Sequence, residues 1–185
     1  MNEIASPGQL RMSLFRWMLV CIPGIVGIGS IIGITSNSGY SNAWFVALDR
    51  PDLVPPGWVF GVAWTALYTM MGVALAIIID ARGAIGRGKA IALFLVQLAA
   101  NFAWTPLFFG MRQISSALML IAFILIAAIA TAIVFGRIRR LAGVLLVPYV
   151  AWLMFASYLN FEIDRRNPDG ETLVPPAASA NIQLR

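Results

Sequence analysis

Long apolar runs separated by short polar stretches dominate the pattern of this chain. Five runs are each about 20 residues long, the length an α-helix needs to cross a hydrocarbon core. They cover residues 14–35, 57–79, 90–109, 114–135 and 141–163. The pattern predicts an all-α protein in which residues 14–163 form a bundle of five transmembrane helices. Residues 1–13 are then an N-terminal segment, and the polar residues 164–185 are predicted to be a disordered tail.

One connection is much longer than the others. The loop at 36–56 is about 20 residues long, and loops of that length are usually functional or disordered. Residues 42–48 read as a helical turn capped by Ser41 or Asn42, and the prolines that follow enforce an extended path. Large apolar side chains on such a loop need somewhere to pack, so we predict a lid over the mouth of the bundle.

Composition supports a membrane protein and excludes several other classes. Of the 185 residues, 60% are hydrophobic and 11% are charged, whereas soluble domains have roughly 45–50% and about 25%. A lone cysteine, Cys21, excludes a disulfide scaffold. The chain has no histidine, which removes the usual haem and zinc ligand and the usual general base. We therefore expect no required cofactor, no bound metal and no conventional enzyme.

The basic residues predict an orientation. They stand between the apolar runs rather than in one patch, so they indicate helix orientation and no nucleic-acid partner. One side of the bundle would carry Arg11, Arg16, Arg82, Arg87, Lys89, Arg137, Arg139 and Arg140. The other side would carry Arg50, Arg112, Arg165, Arg166 and Arg185. The excess on the first side predicts a cytoplasmic N-terminus.

Aromatic and amide side chains share faces of three predicted helices, because positions three or four apart are neighbours on a helix. The groups are Trp64 with Tyr68, Gln97 with Asn101 and Trp104, and Tyr149 with Trp152 and Ala156. Amides are costly in hydrocarbon unless paired, so we expect them to face the bundle interior. Spacing leaves two interpretations open: a pocket for a flat, mostly apolar ligand, or a packed core with hydrogen-bonded helices.

Two tryptophans and one glycine pair have structural interpretations. Trp17 and Trp58 stand at the starts of helices, where an interfacial aromatic belt would place them. Gly29 and Gly33 have the spacing of closely packed helices, either within the chain or in a dimer.

Three sequence blocks resemble the translocator protein/tryptophan-rich sensory protein (TspO/MBR, peripheral benzodiazepine receptor) family. They are PxxxPPxWVFGxxWTxLYxxMG at 51–72, QLAxNxAWxPLFFGMRQ at 97–113 and PYxAWLxFAxxLNF at 148–161. The resemblance implies a homodimer of five-helix bundles in a bacterial envelope membrane, inner or outer. It also implies a pocket for porphyrins, sterols or benzodiazepine-site ligands beneath the first loop. The implied pocket residues are Trp44, Phe60, Trp64, Asn101, Trp104, Phe108, Trp152 and Ala156, and the face that Tyr68 shares with Trp64 adds Tyr68 to the predicted site.

Two departures from the family pattern narrow the expected ligands. The loop has no aromatic residue near Leu53 or Val54, where many members have one to stack on a porphyrin. Phe161 stands where the animal sterol motif has tyrosine, so we expect no specific sterol recognition.

The leading hypothesis is a membrane receptor or sensor, surrounded by lipid, that binds metal-free tetrapyrroles such as protoporphyrin IX. Trp64, Trp104 and Trp152 would stack on the ring, Asn101 would contact its polar edge, and Trp44 would close the lid. Two alternatives are transport of porphyrins or lipids, and light- or oxygen-dependent degradation of the porphyrin.

Overall fold

The computed structural model describes residues 7–174, most of which are helical, and there is no strand in that range. The α-helices are α1 (Pro7–Thr35), α2 (Ala43–Ala47), α3 (Gly57–Asp80), α4 (Arg87–Thr105), α5 (Ile114–Ile138), α6 (Arg140–Val144) and α7 (Val147–Arg166). A π-helical turn, Pro106–Gly110, extends α4, and a 3-10 turn, Gly170–Thr172, follows α7.

Five segments are long and apolar enough to span a bilayer. They are Met12–Thr35, Gly57–Asp80, Arg87–Gly110, Ile114–Ile138 and Arg140–Arg166. Their outward faces expose large apolar side chains such as Ile34, Met119 and Ile126, which water would not tolerate in such number but lipid does. The predicted all-α bundle of five transmembrane helices is confirmed, and the chain is a multi-pass integral membrane protein.

Prolines divide two of the predicted helical runs. Pro106 has no N–H with which to continue the ladder of α4, and the Met111 N–H donates to Pro106 O at 2.9 Å instead, the i→i+5 bond of a π-helix. Pro148 likewise cannot donate to the carbonyl of Val144, and the fifth run is divided into α6 and α7. The third and fifth spans therefore each combine two helical elements.

Small residues set the closest approaches between helices. A Cβ on Gly72 of α3 would lie 2.8 Å from Cα of Ile22 in α1, and one on Gly143 of α6 would lie 2.6 Å from Cα of Gly136 in α5. Gly29 of α1 makes room for the ring of Tyr68. Gly29 thus serves packing within the chain, which is one of the two roles that its spacing left open.

The ends of the bundle differ from the sequence prediction. α1 begins at Pro7 rather than at residue 14. At the other end, residues 164–174 are ordered, which corrects part of the predicted tail: α7 continues to Arg166, and Gly170 is buried in the 3-10 turn. This turn packs against the lid, a contact between distant parts of the chain that local composition does not reveal. Residues 175–185 lie outside the described part.

Candidate ligand-binding site

All five spanning segments and the lid line one cavity of about 770 Å³. Small-molecule sites in proteins occupy roughly 300–1,000 Å³, so the space suits a drug-sized or larger flat ligand. Within 7–174 the lining residues carry no Asp, Glu, Lys or Arg. The interior is therefore an uncharged environment with aromatic rings in its wall.

Indole rings form much of the cavity wall. Trp64 lies with its ring centroid 5.1 Å from that of Tyr68 and 6.4 Å from that of Trp152, with an interplanar angle of 80° to the latter. On the α4 side, Trp104 and Phe108 stack at 4.9 Å with only 14° between their planes. The Trp104 indole N–H donates to Ala117 O at 3.1 Å, which fixes the orientation of that ring. The wall offers flat faces in several orientations, as a planar aromatic guest requires.

Two buried tyrosine–amide pairs connect the helices. The Tyr68 hydroxyl donates to Asn101 Oδ1 and the Tyr149 hydroxyl to Gln97 Oε1, both at 2.9 Å. Asn101 and Gln97 are 4% and 0% exposed, which confirms that the amide face points into the bundle. Of these two pairs, only Tyr68 and Asn101 line the cavity. The pocket interpretation therefore holds for Asn101 and the packed-core interpretation for Gln97, although both residues lie on the same face of α4.

The lid is a capped helical turn. Asn42 is the N-cap of α2, because its Oδ1 accepts from the N–H groups of Trp44 at 3.1 Å and Phe45 at 3.3 Å. Its Nδ2 donates to Phe109 O at 3.2 Å and so connects the lid to the π-helical turn. Phe45 points its ring at the cavity, where it contacts Phe109 at 5.3 Å.

Trp44 does not line the cavity, unlike the other residues that the sequence suggested. It is 1% exposed, and its indole N–H donates to Gly170 O at 2.8 Å. Its ring meets the edge of Phe108 at 5.5 Å. Trp44 therefore fastens the lid to the turn after α7 instead of facing the space where a ligand would lie.

A second contact between the lid and the end of α7 lies near the surface. The Asp49 N–H donates to Asn167 Oδ1, and Asn167 Nδ2 donates to Asp49 O, both at 2.8 Å. The Arg166 guanidinium is 3.8 Å from the Asp49 carboxylate. We call the contacts of Trp44 and Asp49 with residues 166–170 the lid latch.

The structure brings most of the predicted site residues together around the cavity. Phe60, Trp64, Tyr68, Asn101, Trp104, Phe108, Trp152 and Ala156 all line it. The lining residues that sequence reasoning missed include Tyr40 and Phe45 of the lid and Asn160 of α7. Asn160 continues the predicted α7 face one turn beyond Ala156, so that periodicity could have found it. Trp58 is 71% exposed at the start of α3, as an interfacial residue would be.

A match to a family model decides to which protein family the chain belongs. A model described as the TspO/MBR family matches residues 19–166. The chain belongs to the TspO/MBR family. All three sequence blocks that carried the resemblance fall inside the matched region, as do the lid and all cavity-lining residues.

Relatives in this family come from distant organisms. The tryptophan-rich sensory protein of Cereibacter sphaeroides is 40% identical over 124 residues, which are 67% of this chain and 77% of the relative. The tryptophan-rich protein TspO of Chlorobaculum tepidum is 35% identical over 154 residues, 82% of this chain and 96% of the relative. The translocator protein of Homo sapiens is 36% identical over 142 residues, 76% of this chain and 84% of the relative. This TspO/MBR protein thus belongs with membrane sensory and translocator proteins.

Proposed function

We propose that this TspO/MBR protein is a membrane receptor that binds a tetrapyrrole of the protoporphyrin IX class inside its helix bundle. The cavity carries the proposal, because its volume is about 770 Å³ and its wall includes Trp64, Trp104 and Trp152. Indole faces stack favourably on a flat aromatic guest. With no histidine in the sequence, a metal-free porphyrin suits the site better than a haem that needs an axial imidazole.

Polar groups around the cavity would orient the macrocycle. Asn101 uses its Oδ1 to accept from Tyr68, so the amide nitrogen can donate to a polar edge of the ligand. Tyr68 itself presents its ring to Trp64 at 5.1 Å. The site needs no cofactor in this proposal, since the porphyrin is the ligand and binding is the function.

A titration in lipid nanodiscs tests the proposal. Protoporphyrin IX should bind saturably, with quenching of indole fluorescence and a shifted visible absorption spectrum. Trp64→Ala and Trp152→Ala should each weaken binding about tenfold or more, because aromatic contacts at the centre of a site dominate its affinity. Trp58→Ala is the matched control, since Trp58 is 71% exposed and outside the cavity. Unchanged affinity in both cavity variants would show that the site is wrong.

A transporter is the second candidate function, and the lid is the observation that favours it. Residues 42–49 form a short helical turn that covers one end of the cavity, as a gate would. A liposome flux assay separates the two functions, because a receptor binds the porphyrin without moving it across the bilayer. Flux that exceeds protein-free leakage and falls in Trp152→Ala would favour transport.

We further propose a bacterial envelope membrane as the location, with the N-terminus in the cytoplasm. The lid, Arg165 and Arg166 lie at the end of the bundle opposite the basic loops at Arg82 and Arg137, and basic residues prefer the cytoplasmic side. The cavity would then open away from the cytoplasm. Labelling of single engineered cysteines in intact cells measures this directly, and a lid cysteine protected from an impermeant reagent would contradict it.

A further inference from the structure

Arg50 stands beside the lid end of the cavity. Its guanidinium carbon is 4.9 Å from the ring centroid of Tyr40 and 5.2 Å from that of Phe45, and both rings line the cavity. The Tyr40 hydroxyl donates to Pro55 O at 3.0 Å, which holds that ring in place. Arg50 is not itself a lining residue, so these two wall residues position a half-buried cation next to the lid-end wall of the cavity.

This cation has no carboxylate partner within residues 7–174, although acidic residues are close in sequence. Asp49 lies next to Arg166, at 3.8 Å, and Glu162 pairs with Arg165 at 3.0 Å and with Arg166 at 3.3 Å. Cation–π contacts orient a guanidinium but leave its charge and most of its N–H donors available. Arg50 thus keeps the N–H donors and the charge that Arg165 and Arg166, at the end of α7, direct to carboxylates.

Within residues 7–174, the lining residues of the cavity offer no counter-charge to an anionic group. The described lining residues are uncharged, and an ionised carboxylate placed among indoles without a counter-charge is strongly disfavoured. Small polar groups cluster at the lid end, where the Ser41 hydroxyl donates to Asn37 Oδ1 at 2.9 Å and both residues line the cavity. A ligand with a flat apolar body and a carboxylate edge would therefore be favoured with that edge toward the lid, where Arg50 lies next to the wall.

We propose that Arg50 binds a carboxylate at the edge of the ligand and makes the site selective for acidic porphyrins over neutral ones. The inference rests on the proposed function, because it names the group on the porphyrin that this arginine recognises. Arginine suits the role, since its planar fork can donate two parallel hydrogen bonds to one carboxylate. The flat body of the ligand would lie against Trp64, Trp104 and Trp152.

The experiment compares protoporphyrin IX with its dimethyl ester, which has the same ring and no ionised carboxylate. Both are titrated into the full chain in zwitterionic phosphatidylcholine nanodiscs, so that no anionic lipid competes. Arg50→Gln should weaken binding of the diacid about three- to tenfold and change binding of the ester less than about twofold, as expected for one partly exposed ion pair. Raising the salt concentration should narrow the difference between the wild-type protein and the variant for the diacid only.

Two further variants separate recognition from packing. Arg112→Gln removes an exposed charge at the same end of the bundle that makes no cation–π contact with Tyr40 or Phe45, and should leave both affinities unchanged. Arg50→Lys keeps the charge without the planar fork and should recover part of the diacid affinity.

Each remaining outcome contradicts the inference in a distinguishable way. Equal loss for the diacid and the ester would mean that Arg50 only supports the lid rings. No loss for either ligand would mean that the carboxylate lies elsewhere. A wild-type protein that binds neither porphyrin would overturn the proposed function and the inference together, whereas equal binding of both by the wild type overturns the inference alone.

Discussion

Replacing Trp44 with phenylalanine should loosen the lid while keeping its aromatic packing. The indole N–H of Trp44 donates to Gly170 O at 2.8 Å, and both residues are buried. Phenylalanine retains a ring that can contact Phe108, now 5.5 Å away, but removes the donor. The variant therefore isolates the hydrogen bond of the lid latch from the hydrophobic cluster around it.

The size of the effect follows from the carbonyl that loses its partner. A buried acceptor left without a donor costs about 1–3 kcal/mol, and each 1.4 kcal/mol changes an equilibrium about tenfold. The opening equilibrium of the lid should therefore rise by about fivefold to about 140-fold. The smaller increases are expected if water reaches Gly170 O. The Asp49–Asn167 contact is exposed and cannot compensate for the buried bond.

Hydrogen–deuterium exchange of the protein in nanodiscs measures the opening. The N–H groups of Trp44 and Phe45 donate to Asn42 Oδ1, and the Val46 N–H donates to Asn42 O. These bonds lie within the lid, but a five-residue helix is not stable without tertiary packing, so these amides exchange when the lid detaches and unfolds. Their exchange should accelerate in Trp44→Phe and stay at the wild-type rate in Trp58→Phe, which alters an exposed indole outside the lid.

Two results would refute this reasoning. Unchanged exchange at residues 42–48 would mean that the hydrogen bond to Gly170 does not limit opening. Equal acceleration in α5 would mean that the bundle unfolds as a whole and the lid is not an independent unit.

Gly170→Ala offers an independent check. The new Cβ would lie 2.8 Å from Ile114 Cδ1 and 3.3 Å from Leu48 Cδ2, so this variant should likewise accelerate exchange in the lid.

Two further predictions concern stability. Tyr68→Phe should destabilise the bundle by about 1–3 kcal/mol, because Asn101 Oδ1 loses its donor in a buried site; thermal unfolding in detergent measures it, and exposed Tyr158→Phe should show no loss. Gly72→Ala should lower the unfolding temperature, since its Cβ would lie 2.8 Å from the backbone of α1. Gly61→Ala on the same helix meets nothing within 4 Å and should be neutral or stabilising, so equal behaviour of the two alanines would contradict the packing argument.

Much of the cavity could be predicted from periodicity. Trp64 and Tyr68 share a face of α3, and Trp152 and Ala156 share a face of α7, because residues one helical turn apart necessarily point the same way. The cost of an amide in hydrocarbon likewise turned Asn101 inward. Each of these inferences uses only residues within one helix.

The lid could not be predicted in the same detail. Trp44 is a large aromatic residue of the kind that lines ligand pockets. Its hydrogen-bond partner, however, is Gly170, which lies 126 positions away in the chain. Residues 167–172 read as a disordered tail because their order comes from contacts with the lid rather than from local propensity. In the sequence, Arg50 is only one of the charges that predict the orientation of the helices. The fold places it beside Tyr40 and Phe45.

The sequence by itself determined that this chain crosses a membrane as five helices, and which face of three of them carries indoles and amides. Those properties depend on run length and on the 3.6-residue period, which are local. Only the tertiary structure decided which aromatic residues border the cavity and which fasten the lid. It also decided that Arg50 lies next to the cavity wall at Tyr40 and Phe45. Those properties depend on distances between segments far apart in the chain, and the packing of the helices, rather than their individual patterns, sets such distances.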